Sequence, residues 1–122
     1  MMMNKMLGLA FAALLLAPVA ANAADAPKAF DKCKACHKVE AGKHGVGPSL
    51  AGVYGTKAGT NYPDFKYSPA HTASGVTWDD ATLTKYLENP KGVIPGNRMV
   101  FAGFKDEADA KAVIEYLKTL KK

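Results

Sequence analysis

The 122 residues include 16 Lys and Arg against 11 Asp and Glu, a net charge of +5, with 9% aromatic residues and two cysteines. This is the length of one domain. Two cysteines exclude a multi-bridge disulfide framework and a four-thiolate zinc site, and lysines dispersed along the chain, not gathered in one basic run, argue against a nucleic-acid partner.

Met1 to Lys5 is a short positive n-region, Met6 to Ala17 is an apolar stretch rich in Leu and Ala, and Ala21-Asn22-Ala23 has the small residues of a cleavage site. The pattern predicts a signal peptide over residues 1–23, cleaved on export to the periplasm, and one mature domain over residues 24–122. A retained anchor would need about 20 apolar residues, and Pro18 and Asn22 interrupt this stretch. Losing Lys5 with the signal peptide lowers the net charge from +5 to +4.

Pro27 suits the first turn of a helix running to about His37, with Ala29, Phe30 and Cys33 on one side. Within it lies Cys33-Lys34-Ala35-Cys36-His37. A Cys-x-x-Cys pair alone could be a redox disulfide or half of a zinc site, but there is no second thiol pair and no βαβ pattern around it. Followed at once by histidine, the pair is the attachment motif of a c-type haem. On one helical turn both sulfurs face the same way, so both can add to the vinyl groups of one porphyrin, and His37 is confined beneath the iron.

Ala41 to Thr60 holds six glycines and Pro48, too many backbone breakers for a regular element, so this segment should wrap something. Thr77, with Asp80 three residues on, reads as the cap of a helix whose Leu83, Tyr86 and Leu87 share a face; Asn89-Pro90 ends it. A further helix starts near Asp106 and continues through Val113, Ile114, Leu117 and Leu120, with Asp106, Glu107 and Asp109 at its positive end. No strand is persuasive. The expectation is an all-α domain of three to five helices.

Iron in a porphyrin has six positions, and the ring nitrogens and His37 fill five. A second strong protein ligand leaves only electron transfer, whereas an open position admits small molecules or chemistry. Met1, Met2, Met3 and Met6 leave with the signal peptide, so Met99 is the one thioether of the mature chain. Its Pro95-Gly96 turn presents it from a loop, which makes Met99 the expected sixth ligand. The alternative is a haem enzyme or gas-binding protein of peroxidase or cytochrome c′ type, with a vacant distal position.

The motifs Cys33-x-x-Cys36-His37, Gly47-Pro48-Ser49-Leu50, Gly75-Val76-Thr77-Trp78, Tyr86-Leu87-Glu88-Asn89-Pro90, Ile94-Pro95-Gly96-x-x-Met99-x-Phe101 and Tyr116-Leu117-Lys118 occur in that order. In this the chain resembles the class I cytochromes c, the mitochondrial cytochrome c and bacterial cytochrome c2 and c550 type. The resemblance implies a class I cytochrome c fold of helices and loops wrapped around one covalently bound haem c. It implies a monomeric periplasmic single-electron carrier, not an enzyme, working between membrane-bound complexes such as a bc1-type complex, a terminal oxidase or a photosynthetic reaction centre, with only transient contact at the membrane surface.

The resemblance also assigns roles. The Pro48 carbonyl accepts the Nδ1 proton of His37, Tyr86 sits near the Met99 sulfur, Trp78 and Tyr67 donate to a buried propionate, and Phe30 packs on Tyr116 where Ala26 stands at a helix crossing. Lys57, Asn97 and His71 replace an arginine, a threonine and an asparagine common in the family. Lys32, Lys34, Lys91, Arg98 and Lys105 are the candidates to frame a docking edge. His44, in the glycine-rich loop, reads as a plain surface residue.

Overall fold

The computed structural model describes residues 25–122; the expected signal peptide lies outside the described residues, apart from which only Ala24 is left out. A short 3-10 turn, Lys28–Phe30, leads into α1 (Asp31–Lys34), followed by α2 (Pro69–Ala73), α3 (Asp80–Glu88), α4 (Pro90–Val93) and α5 (Glu107–Lys118). The only β feature among the described residues is an isolated antiparallel bridge between Lys57 and Thr77. No described helix is long and apolar enough to cross a membrane.

The first helix is shorter than its sequence pattern predicts. Pro27 stands just ahead of the 3-10 turn as its N-cap, and regular helix stops at Lys34. One further turn persists in the hydrogen bonds, because the Cys36 and His37 N–H groups both donate to the Cys33 carbonyl, at 3.1 and 2.9 Å. Phe30 packs edge-on to Tyr116 of α5, ring centroids 4.8 Å apart, a contact worth about 0.5–1.5 kcal/mol beyond its buried area. Ala26 is exposed and stands before the turn, so it occupies no helix crossing; the partly buried Ala29 is the small residue that packs on the core.

α3 begins two residues later than the Thr77–Asp80 pattern suggests. Its cap is Asp79, whose carboxylate accepts the Thr82 N–H at 2.8 Å, a bond worth about 1 kcal/mol. Thr77 is instead held in the bridge to Lys57. α3 does end at Asn89-Pro90, but Pro90 then opens α4, its fixed φ suiting a first helical position. α5 starts as expected, with Asp106 as its cap.

α3 and α5 pack together, burying Leu83, Leu87, Val113, Ile114 and Leu117 with Phe30, Ile94 and Phe104. The chain after α4 returns to α3 through Gly103, at φ +114°, where any Cβ would collide with the Glu88 carbonyl. That close approach lets the Phe104 N–H reach the Leu87 carbonyl at 2.7 Å. Met99 therefore sits on a loop closed at both ends.

Candidate functional site

A cavity of about 390 Å³ opens between the glycine-rich loop, α3 and the loop that follows α4. Cys33, Cys36, His37 and Met99 all line it.

His37 has one orientation because Pro48 holds it. Its Nδ1 lies 2.7 Å from the Pro48 carbonyl, an acceptor only, so Nδ1 carries the proton and Nε2 keeps a free lone pair. Burial lowers the His37 pKa, and the Pro48 bond opposes this only in part, so the ring stays neutral at pH 7. Gly47 makes this possible: a Cβ there would lie 2.5 Å from the His37 Cε1.

The neighbouring thiols point away from thiol redox chemistry. Cys33 is pushed up to about 11, first by burial and then by Cys36, whereas reactive cysteines are held low by positive surroundings.

Met99 is held from two sides. Its N–H donates to the Asn97 side-chain oxygen at 2.8 Å, while the Asn97 amide nitrogen donates to the Pro90 and Ile94 carbonyls, at 3.1 and 2.8 Å. The Tyr86 hydroxyl donates to the Met99 sulfur at 3.8 Å, and burial pushes the Tyr86 pKa up to about 12, keeping the phenol a donor. Asn97, noted in the sequence only as a departure, is thus the residue that positions Met99. An amide side chain directly after Pro95-Gly96 and two residues before Met99 was the signal available.

The third wall is aromatic. Trp78 stacks obliquely on Tyr86 at 4.7 Å and His71 lies parallel to Tyr67 at 5.4 Å. Trp78 is buried, yet its indole N–H has no acceptor among the described residues. A buried donor without a partner costs about 1–3 kcal/mol, so it marks where an acceptor from a bound molecule belongs. Tyr67 differs in part from expectation, since its hydroxyl already accepts the Tyr62 N–H at 3.2 Å; its own proton remains to be donated.

These features fit a haem. Two protein donors, one imidazole and one thioether, face a largely apolar cavity, the thiols are spaced for covalent attachment, and an unpaired indole N–H awaits an acid group. Around the cavity stand Lys32, Lys57, Lys66 and Arg98. Lys34 instead pairs with Asp31 at 3.1 Å, Lys91 donates to the Asn97 carbonyl at 2.8 Å, and Lys105 is exposed away from the cavity lining. Two exposed apolar side chains also border it, Val46 (81% exposed) and Val100 (97%); neither stands out in the sequence.

His44 is not plain surface. Its side chain is 17% exposed. Its Nδ1 accepts the Ser49 N–H at 3.0 Å, its Nε2 lies 3.1 Å from Asp64, and the ring packs edge-on to Tyr62 and Phe65. It joins two loops on the flank of the cavity, a tertiary contact that glycine-rich local sequence conceals.

The cytochrome c family model matches residues 23–121. The chain is 71% identical over 97 residues to cytochrome c2 iso-2 of Magnetospirillum fulvum, covering 80% of this chain and 100% of that protein. It is 59% identical to cytochrome c2 of Rhodoplanes tepidamans over 98 residues, covering 80% of this chain and 99% of that one. Among solved structures it is similar to cytochrome cH from Methylobacterium extorquens, with a TM-score of 0.72 and 49% identity over 75% of this chain and 92% of that chain.

Proposed function

The chain belongs to the cytochrome c family, electron carriers and not enzymes, with one covalently attached haem c, and from that premise we propose a role for each residue of the cavity. Cys33 and Cys36 would hold the haem through two thioethers, and His37 and Met99 would supply the two protein donors to its iron. Residues 1–23 are a cleaved signal peptide and residues 24–122 the working domain, a soluble monomer in the periplasm. In support, the whole M. fulvum relative aligns to 80% of this chain, about the share that residues 24–122 occupy.

When bound, the haem supplies a one-electron couple, its iron alternating between Fe(III) and Fe(II). His37 presents Nε2 in a tautomer set by Pro48, and Met99 presents its sulfur from a loop braced by Asn97 and Tyr86. Both donors are braced before any electron arrives, so little has to move when one does. A neutral thioether disfavours the extra charge of Fe(III), which places the potential above that of a bis-histidine site. The observation carrying this reading is that His37 and Met99, 62 positions apart in sequence, line one cavity, each with its own hydrogen-bonded support.

Electrons pass at the cavity mouth, where Val46 and Val100 offer an apolar contact and the nearby basic side chains attract an acidic surface. The partners are membrane-bound redox complexes of the bc1, terminal oxidase or reaction-centre kind.

Met99→Ala tests the ligand set. The reduced variant should bind carbon monoxide and its potential should fall, while the reduced wild type excludes carbon monoxide and retains its haem through denaturing electrophoresis. Equal carbon monoxide binding by both proteins would refute ligation by Met99 and favour a gas-binding site.

A further inference from the structure

His71 lines the cavity, yet the carrier reading leaves its chemistry unused. Its backbone is fixed at both ends of α2. The His71 N–H donates to the Ser68 hydroxyl at 3.1 Å, and its carbonyl accepts the Ser74 N–H and hydroxyl at 3.2 and 2.8 Å. The imidazole lies parallel to Tyr67 (5.4 Å, 4°), tilted against Trp78 (5.8 Å) and edge-on to Tyr86 (6.5 Å).

Neither ring nitrogen of His71 has a hydrogen-bond partner among the described residues. The chain has three histidines, and the other two are engaged. His37 gives Nδ1 to Pro48 and, in the carrier reading, Nε2 to iron; His44 has Ser49 on one nitrogen and Asp64 at the other. His71 alone keeps both nitrogens available in the wall of the cavity.

The groups facing the ring are Tyr67, from the loop before α2, and Tyr86, from α3. Burial raises both phenols, so they stay neutral. Lys57 and Lys66 line the same cavity, and no described carboxylate bonds to the imidazole. Burial lowers the His71 pKa, and with no described carboxylate bonded to the ring, a charge there responds to any other charge entering or leaving the cavity.

We propose that His71 is a redox-linked proton acceptor, binding a proton from solvent when the haem is reduced and releasing it on oxidation. The inference rests on the carrier reading. Reduction adds one electron from the donor and turns Fe(III) into Fe(II); uptake adds one proton to an imidazole nitrogen, so the charge of the site as a whole is restored. Loss of a positive charge at the iron relieves repulsion of the imidazolium, and His71 therefore binds its proton more tightly in the reduced protein. By the same linkage the potential is highest at low pH, falls as pH rises between the oxidised-state and reduced-state pKa of His71, and is level on either side.

The test is the midpoint potential of the holoprotein from about pH 5 to 8, in wild type, His71→Asn, His71→Gln and His44→Gln, with the imidazole proton resonances of both redox states of the wild type followed by NMR. The proton affinity of His71 should be about tenfold greater in the reduced state, a fall in potential of about 59 mV across the window. That fall should vanish in both His71 variants and persist in His44→Gln. The NMR titration needs no variant, so a misfolded substitution leaves the inference exposed to disproof. A level potential in the wild type, an undiminished fall in the His71 variants, or identical titration of His71 in both redox states would each overturn it. Ready carbon monoxide binding by the reduced wild type would overturn the carrier reading and this inference together, whereas a level potential with carbon monoxide excluded overturns the inference alone.

Discussion

The two supports of the cavity are built differently. On the His37 side every part comes from one stretch of chain: the motif ends at residue 37, and the carbonyl that orients the ring is Pro48, 11 positions on. On the Met99 side the support is assembled from several places, with Tyr86 from α3, the Pro90 carbonyl from α4, and Asn97 from the loop itself. A side chain confined by its place in the attachment motif, as proposed for His37, needs one well-placed hydrogen bond. A side chain delivered by a loop, as Met99 is, must have the loop's backbone groups satisfied as well, because each buried orphan costs about 1–3 kcal/mol.

The contrast can be broken most severely at Gly47. Gly47→Ala drives a methyl against the His37 ring, and with backbone on one side and a confined imidazole on the other there is little room to yield. The Pro48 bond should be lost and stability should fall by about 3 kcal/mol, in the range of overpacking and a broken buried hydrogen bond. Denaturant unfolding of the holoprotein measures this, and a midpoint like that of the wild type would show that the loop relocates freely.

Asn97→Ala comes next. It strips hydrogen bonds from the Pro90 and Ile94 carbonyls and from the Met99 N–H, which should cost about 2 kcal/mol. Because Asn97 belongs only to the Met99 side, the reduced variant should also admit some carbon monoxide, while Gly47→Ala should not admit more than the wild type unless the fold itself loosens. Wild-type exclusion of carbon monoxide in Asn97→Ala would mean that Tyr86 and the loop ends suffice.

A third test asks which side of the mouth partners use. Charge reversal at Arg98, on the Met99 side of the cavity, should slow reaction with an acidic redox partner several-fold at low salt, and the effect should shrink as the Debye length falls to about 8 Å at physiological ionic strength. Reversal at Lys118, tied to Asp80 and Glu115 at 3.1 and 2.7 Å, should change the rate little. Equal slowing by both would point to net charge in place of a docking face.

The smallest effect is expected from Tyr86→Phe. It removes one weak bond to sulfur and keeps the ring between Trp78 and His71, so stability should change by no more than about 1 kcal/mol. A shift in the Met99 spectroscopic signature without loss of ligation is the expected readout.

The parts legible in the sequence were those in which chemistry and spacing are local. Cys33, Cys36 and His37 announce a haem because their function depends on the covalent order of five residues, and the apolar faces of α3 and α5 announce a helical core because their 3.6-residue period does not depend on what they meet. The Pro48, Tyr86 and Phe30–Tyr116 contacts were foreseen through the family resemblance, and the geometry bears them out. Tertiary structure decided the rest. His44 looked like surface until Asp64 and Tyr62 closed on it from 20 and 18 positions away, and Ala26 stood for the small residue of a helix crossing until the chain entered its first turn only after it. Asn97 became the brace of Met99, Val46 and Val100 became an apolar mouth, and His71 was left with neither ring nitrogen bonded among the described residues. Each of these outcomes depends on which distant backbone group or side chain arrives beside a residue, and a hydrogen bond of about 3 Å is satisfied or orphaned only when the folded chain brings its partner there.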